Sequence, residues 1–99
     1  MANTKRKGSR NEYRSMRIFE SMGYACTRSV ASLGCFDIIG IGPNDIVLYQ
    51  VKTRDLPGSL EMEAIKQFVV PNNCRKLIHR WRNRQKLPDT KTVYLGSGQ

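Results

Sequence analysis

The chain has 99 residues and a mass of 11.3 kDa, with 17 Lys and Arg against 8 Asp and Glu, a net charge of +9. That length allows one domain with a modest core, and 39% hydrophobic and 25% charged residues suit a folded chain rather than a disordered one. Without an apolar run near the roughly 20 residues of a membrane span, a signal-peptide core in residues 1–7, or a C-x-x-C among Cys26, Cys35 and Cys74, the sequence excludes membrane, secreted, disulfide-framework and zinc-site proteins and predicts a reduced intracellular one.

Residues 1–8 read as a flexible basic arm, and residues 9–99 as a single domain. A helix is expected from Ser9, which with Glu12 three residues on forms a capping-box pattern. Tyr13, Met16, Phe19 and Met22 recur at helical spacing, and Gly23 supplies the stop. Residues 24–28 form a short strand candidate, and residues 29–35 a loop of small side chains. The β-branched runs 36–41 and 46–52 are the clearest strand signals, joined by the turn Gly42-Pro43-Asn44-Asp45.

A four-residue loop places Ile41 opposite Ile46 and therefore Asp37 opposite Gln50. Side chains alternate along a strand, so Gln50 and Lys52 share a face with Asp37 while Val51 points the other way. Away from that polar end both faces are apolar, with Ile39, Ile41, Ile46 and Leu48 on one and Ile38, Val47 and Tyr49 on the other. Strands buried on both sides belong in a sheet covered by helices. The expected fold class is therefore α/β, with a mixed central β-sheet flanked by helices.

Further on, Asp55-Leu56-Pro57-Gly58 breaks the chain and Ser59 is expected to cap a short helix ending near Phe68. A second helix is expected over residues 74–85, with Cys74, Leu77, Ile78 and Trp81 as its apolar stripe and Lys76, Arg80 and Arg84 along another face. On that helix His79 reads as a surface residue. The run 92–95 closes the chain as an edge strand.

Glu12, then Gly34-Cys35-Phe36-Asp37, then Gln50-Val51-Lys52 is an acid, an aspartate and an x-x-Lys triplet in order. The set resembles the PD-(D/E)xK nuclease superfamily, and within it the archaeal-type Holliday junction resolvases. Two further segments add to the likeness: Lys7-Gly8-Ser9-Arg10-Asn11-Glu12, and the loop running from Arg28-Ser29 through Ser32 to Asp37. The resemblance covers about residues 5–54. It implies a restriction-endonuclease-like core that hydrolyses DNA phosphodiesters with Mg²⁺, for which Mn²⁺ substitutes.

By that resemblance Asp37, the Gln50 amide oxygen, the Val51 carbonyl and Glu12 are the metal ligands, and Lys52 orients the attacking water or stabilises the crowded phosphorus. Arg28 and Ser32 would hold substrate phosphates. Gln50 departs from the family's usual Glu or Asp, so a neutral amide stands where a charged ligand is expected. On the local pattern alone, Glu12 serves equally as a capping residue and Gln50 as a core amide.

Charge placement points to the same partner. Six basic residues in 1–17 face Glu12 alone, and seven in 75–99 face Asp89 alone, around a mildly acidic centre. Two basic flanks fit a polyanion gripped by its backbone. Lys7, Arg10, Arg14, Arg28, Arg54, Arg80 and Arg84 are the candidate contacts with duplex or branched DNA. The resemblance also implies a homodimer. Two alternatives stay open: a nuclease of broader substrate range, and a non-catalytic nucleic-acid-binding module with the same fold.

Overall fold

The computed structural model describes residues 2–29, 35–82 and 84–94, with side chains from Arg10 onward. In chain order the elements are α1 (Ala2–Glu20), β1 (Ala25–Arg28), β2 (Ile38–Ile41), β3 (Ile46–Thr53), α2 (Ser59–Gln67), β4 (Cys74–Trp81) and β5 (Asp89–Tyr94). The five strands form one sheet in the order β1-β2-β3-β4-β5. All neighbours are antiparallel except β3 and β4, which are parallel and need the crossover that α2 supplies. Among the described residues no helix is long and apolar enough to cross a membrane.

The hairpin has the expected register, Ile41 facing Ile46 and Ile38 facing Tyr49. Its two apolar faces become two separate cores. Ile38, Val47, Tyr49 and Leu77 pack with Phe19 of α1 on one side of the sheet. Leu48, Phe36, Cys74 and Ile78 pack with Ile65 of α2 on the other. The central strands read as continuous hydrophobic runs because both faces are covered.

The first helix begins earlier than the capping pattern suggested. It reaches back to Ala2 through the segment assigned to a basic arm, so Ser9 lies inside it and Glu12 caps nothing. Its buried stripe is Asn11, Ser15 and Phe19, at 3%, 0% and 4% exposure, whereas Tyr13 and Met22 face solvent. The stop at Gly23 is as expected. Gly23 has φ +94, its N–H donates to the Glu20 carbonyl, and the Tyr24 N–H donates to the Phe19 carbonyl. This is a Schellman closure, completed by Tyr24 packing edge-on against Phe19 at 5.4 Å between ring centres.

The expected helix over 74–85 is instead the strand β4. Cys74, Leu77, Ile78 and Trp81 fit a helical stripe, but they fit a two-sided strand equally well. What misled was the polar character of Lys76 and His79, both of which are buried at 3% and 2% exposure. Lys76 sends its Nζ to the carbonyls of Lys66 and Phe68 at 3.0 and 2.5 Å, closing the C-terminus of α2. His79 lies on the α1 face, its Nδ1 2.9 Å from Ser15 Oγ and its ring stacked on Phe19. The Trp81 indole N–H donates to the same Ser15 hydroxyl at 2.8 Å. Each polar side chain thus has a partner on the helix it faces, which is what burial demands.

Helix α2 matches its expected span, though its N-cap is Gly58 and Ser59 makes no side-chain cap. Strand β5 is at the sheet edge and starts at Asp89, three residues before the expected run, whose last residue, Leu95, lies outside the described residues.

Candidate active site at the open end of the hairpin

Strand β3 continues to Thr53, whereas β2 starts at Ile38 opposite Tyr49. The β2-facing edge of β3 beyond Tyr49 therefore has no strand partner in β2, and Asp37 occupies its first positions. The Asp37 N–H donates to the Tyr49 carbonyl at 3.0 Å, and Asp37 Oδ2 accepts the Val51 N–H at 2.7 Å. A carboxylate here completes the ladder and also faces the notch where the ladder stops.

Burial is the main reason that the Asp37 carboxyl titrates above its ordinary value. The Val51 N–H and the Lys52 ammonium oppose the rise, while the negative charges of Glu12 and Glu61 add to it. Acidic groups from both helices, Glu12 of α1 and Glu61 of α2, thus bear on Asp37.

Gln50 and Lys52 point to the α2 side, as the alternation requires, and meet Glu61 there. Gln50 Nε2 donates to Glu61 Oε2 at 3.1 Å, and Lys52 Nζ lies 3.4 Å from Glu61 Oε1. Gln50 is 5% exposed, and its Oε1 is buried with no hydrogen-bond partner among the described residues. An amide oxygen left in that state costs about 1–3 kcal/mol.

Glu12 is held by Arg28, whose Nε and Nη2 both lie 2.8 Å from Glu12 Oε1. The Arg28 guanidinium also covers the Tyr13 ring at 5.0 Å. One residue back, buried Asn11 donates from Nδ2 to Thr53 Oγ1 at 2.9 Å, pinning this turn of α1 to the end of β3.

The donor set is oxygen-rich and has no buried thiolate or imidazole ligand in it. Among the described residues no three His, Cys, Asp or Glu side chains stand together as a metal cluster. This end of β3 does offer a carboxylate disfavoured in its charged form and, on the α2 face, a buried amide oxygen without a donor among the described residues. A hard cation relieves both, so these residues fit Mg²⁺ or Mn²⁺ with several ligand positions left to water.

The remaining predicted contacts separate into two groups. Arg10, Arg54 and Arg84 are exposed. Arg14 is built into the fold, stacked over Trp81 at 3.9 Å and donating to the Gln85 carbonyl at 2.7 Å. Arg80 pairs with Asp89 at 3.0 Å. Ser32 and the Lys7 side chain lie outside the described residues.

Glu61 was missed by sequence reasoning, although a signal existed. Ile65 is the buried residue of α2, and Glu61 sits four positions earlier on the same helical face, turned toward the sheet. Asn11 has the same signature, four residues before buried Ser15.

The notch stands on a known architecture, an α/β fold with a mixed five-strand sheet between helices, the restriction-endonuclease-like core. Among solved structures it is similar to Hjc, a Holliday junction resolvase from the archaeal hyperthermophile Archaeoglobus fulgidus. The TM-score is 0.70 at 24% identity, over 88% of this chain and 73% of that one. No protein-family model matches the chain, and no curated protein matches it by sequence.

Proposed function

We propose that this chain is a metal-dependent endonuclease hydrolysing DNA phosphodiester bonds, with four-way branched DNA as its preferred substrate. The observation that carries the reading is the buried, donor-less Oε1 of Gln50 on the polar face that adjoins Asp37. Hydrophobic packing has no use for such an atom, whereas a cation-binding notch does. The same fold in a Holliday junction resolvase supports both the chemistry and the substrate.

Asp37, Gln50 through Oε1, the Val51 carbonyl and Glu12 are the groups that would hold Mg²⁺. When bound, the ion would supply positive charge against the phosphate and lower the pKa of a water. The chain's own residues do the rest. Lys52, braced by Glu61, presents a fixed ammonium at the notch, where it can orient a water or stabilise charge on phosphate oxygens. Arg28, paired with Glu12, carries a guanidinium beside that acid and would donate to a neighbouring phosphate. The exposed basic residues grip the backbone without reading bases. The reading also carries a homodimer, setting two notches on one branched substrate, and an intracellular setting.

Labelled four-way junction, linear duplex and single strand, each incubated with Mg²⁺, Mn²⁺ or chelator, test the proposal. Symmetric metal-dependent nicks confined to the junction are expected. Metal-dependent cutting of all three substrates would identify a nuclease of broader range. Retarded but intact DNA under every condition would refute hydrolysis and leave a binding module.

A further inference from the structure

Gln50 is the residue at which this chain breaks the acidic pattern, and its usefulness to a cation depends on which end of the amide faces the notch. Oxygen toward the notch gives a ligand. Nitrogen toward it gives a donor that the Asp37 carboxylate would readily accept, which closes the site. The backbone of β3 does not decide between the two, because the amide rotates by half a turn within nearly the same volume.

Glu61 decides it. An ionised carboxylate has no proton to donate, so its contact at 3.1 Å with Gln50 is possible only through Nε2. The oxygen is thereby turned to the other side, where it is buried and has no donor among the described residues. The same carboxylate holds Lys52 Nζ through its second oxygen, so one residue on α2 sets two side chains of β3. Glu61 lies one turn before the buried Ile65 and is itself half exposed, so its two contacts with β3, rather than packing, hold its carboxylate in place.

We infer that Glu61 is a positioning residue of the active site, whose carboxylate fixes the Gln50 amide with its oxygen toward the cation and so lets a neutral side chain serve where a charged one is expected. This rests on the metal-dependent reading above. Outer-shell partners of metal ligands typically matter by roughly 10–100-fold in affinity. A neutral group at position 61 allows both orientations, and Asp37 then favours the wrong one.

Two measurements on the whole chain test this, one needing no metal. In ¹⁵N-labelled protein, a Gln50 side-chain N–H is expected to be shifted downfield and slow to exchange, and Glu61→Gln is expected to abolish that signature. Mn²⁺ titration by calorimetry is expected to show about tenfold or greater weakening in Glu61→Gln. Glu63→Gln removes an equal charge from an exposed position on the same helix and is expected to bind like the parent. An unchanged Gln50 resonance in Glu61→Gln, or equal Mn²⁺ affinity beside a parent that binds, would overturn the inference. Equal weakening by Glu63→Gln would do the same, since charge alone would then account for the loss. A parent protein that binds no Mn²⁺ at all would instead overturn the metal-dependent reading itself. Glu61→Ala provides a second variant for each arm.

Discussion

The carboxylate of Asp37 accepts the backbone N–H of Val51 at 2.7 Å, across a sheet edge that β2 has already left. That bond stabilises the charged form, yet burial outweighs it and the carboxyl titrates above its ordinary value. The sign of the linkage follows. A carboxyl whose folded pKa is raised gains stability as pH falls through that pKa, and it costs stability where it is ionised, at neutral pH. Asp37→Asn keeps an oxygen to accept the Val51 N–H and removes the charge. It is expected to raise the stability of the metal-free protein at pH 7 by about 0.5–2 kcal/mol, while abolishing Mn²⁺ binding and cutting and leaving DNA binding intact. Urea denaturation and calorimetry check both halves, and a less stable or still active variant would exclude Asp37 from the assigned role.

His79 gives the opposite pH dependence. Burial against Phe19 and Tyr49 lowers its pKa to about 4. Between its ordinary value near 6.5 and about 4 the unfolded chain takes up the proton and the folded one does not, so stability should fall as pH drops through that window. The loss amounts to roughly 3 kcal/mol by pH 4. Urea denaturation at pH 7, 5 and 4 reads it directly. His79→Gln, less stable at pH 7, is expected to flatten the slope, and an unchanged slope would assign the acid sensitivity to other groups.

Lys76 connects β4 to the end of α2 by donating to two carbonyls that the helix itself leaves unpaired. Lys76→Met retains the stem and removes the donors. The expected cost is about 2–4 kcal/mol, since two buried acceptors lose a charged donor. Hydrogen exchange should localise the effect to residues 59–68. Uniform loss of protection across the sheet would argue against a local cap.

The hairpin, its register and the sharing of its polar end among Asp37, Gln50 and Lys52 were legible because period-two alternation and a four-residue turn leave little freedom. β4 was not, because Lys76 and His79 acquire their partners only from other elements in the folded chain, the end of α2 for Lys76 and α1, 64 residues away, for His79. For the same reason Ser9 and Glu12 looked like a cap. The local pattern is sound, but α1 runs through it from Ala2, and Glu12 is engaged by Arg28 from β1 instead. Glu61 is the informative omission: a sequence pass looks along the strands and passes over the helix residue that contacts Gln50 and Lys52.

The basic residues divide by what already holds them, and the division predicts two different losses. Arg10, Arg54 and Arg84 are exposed, so replacing them with Ala should leave stability within about 0.5 kcal/mol of the parent and weaken DNA binding uniformly across sequences. Each lost phosphate contact should reduce the salt slope of binding by about 0.9 on duplex DNA. Arg14→Ala removes a guanidinium stacked on Trp81 and its bond to the Gln85 carbonyl. Its expected effect is a stability loss of about 1–3 kcal/mol with little change in the salt slope. Binding isotherms over a range of salt, beside thermal denaturation, separate the two outcomes. A salt slope that falls for Arg14→Ala but not for the exposed three would move the DNA path onto the α1–β4 face.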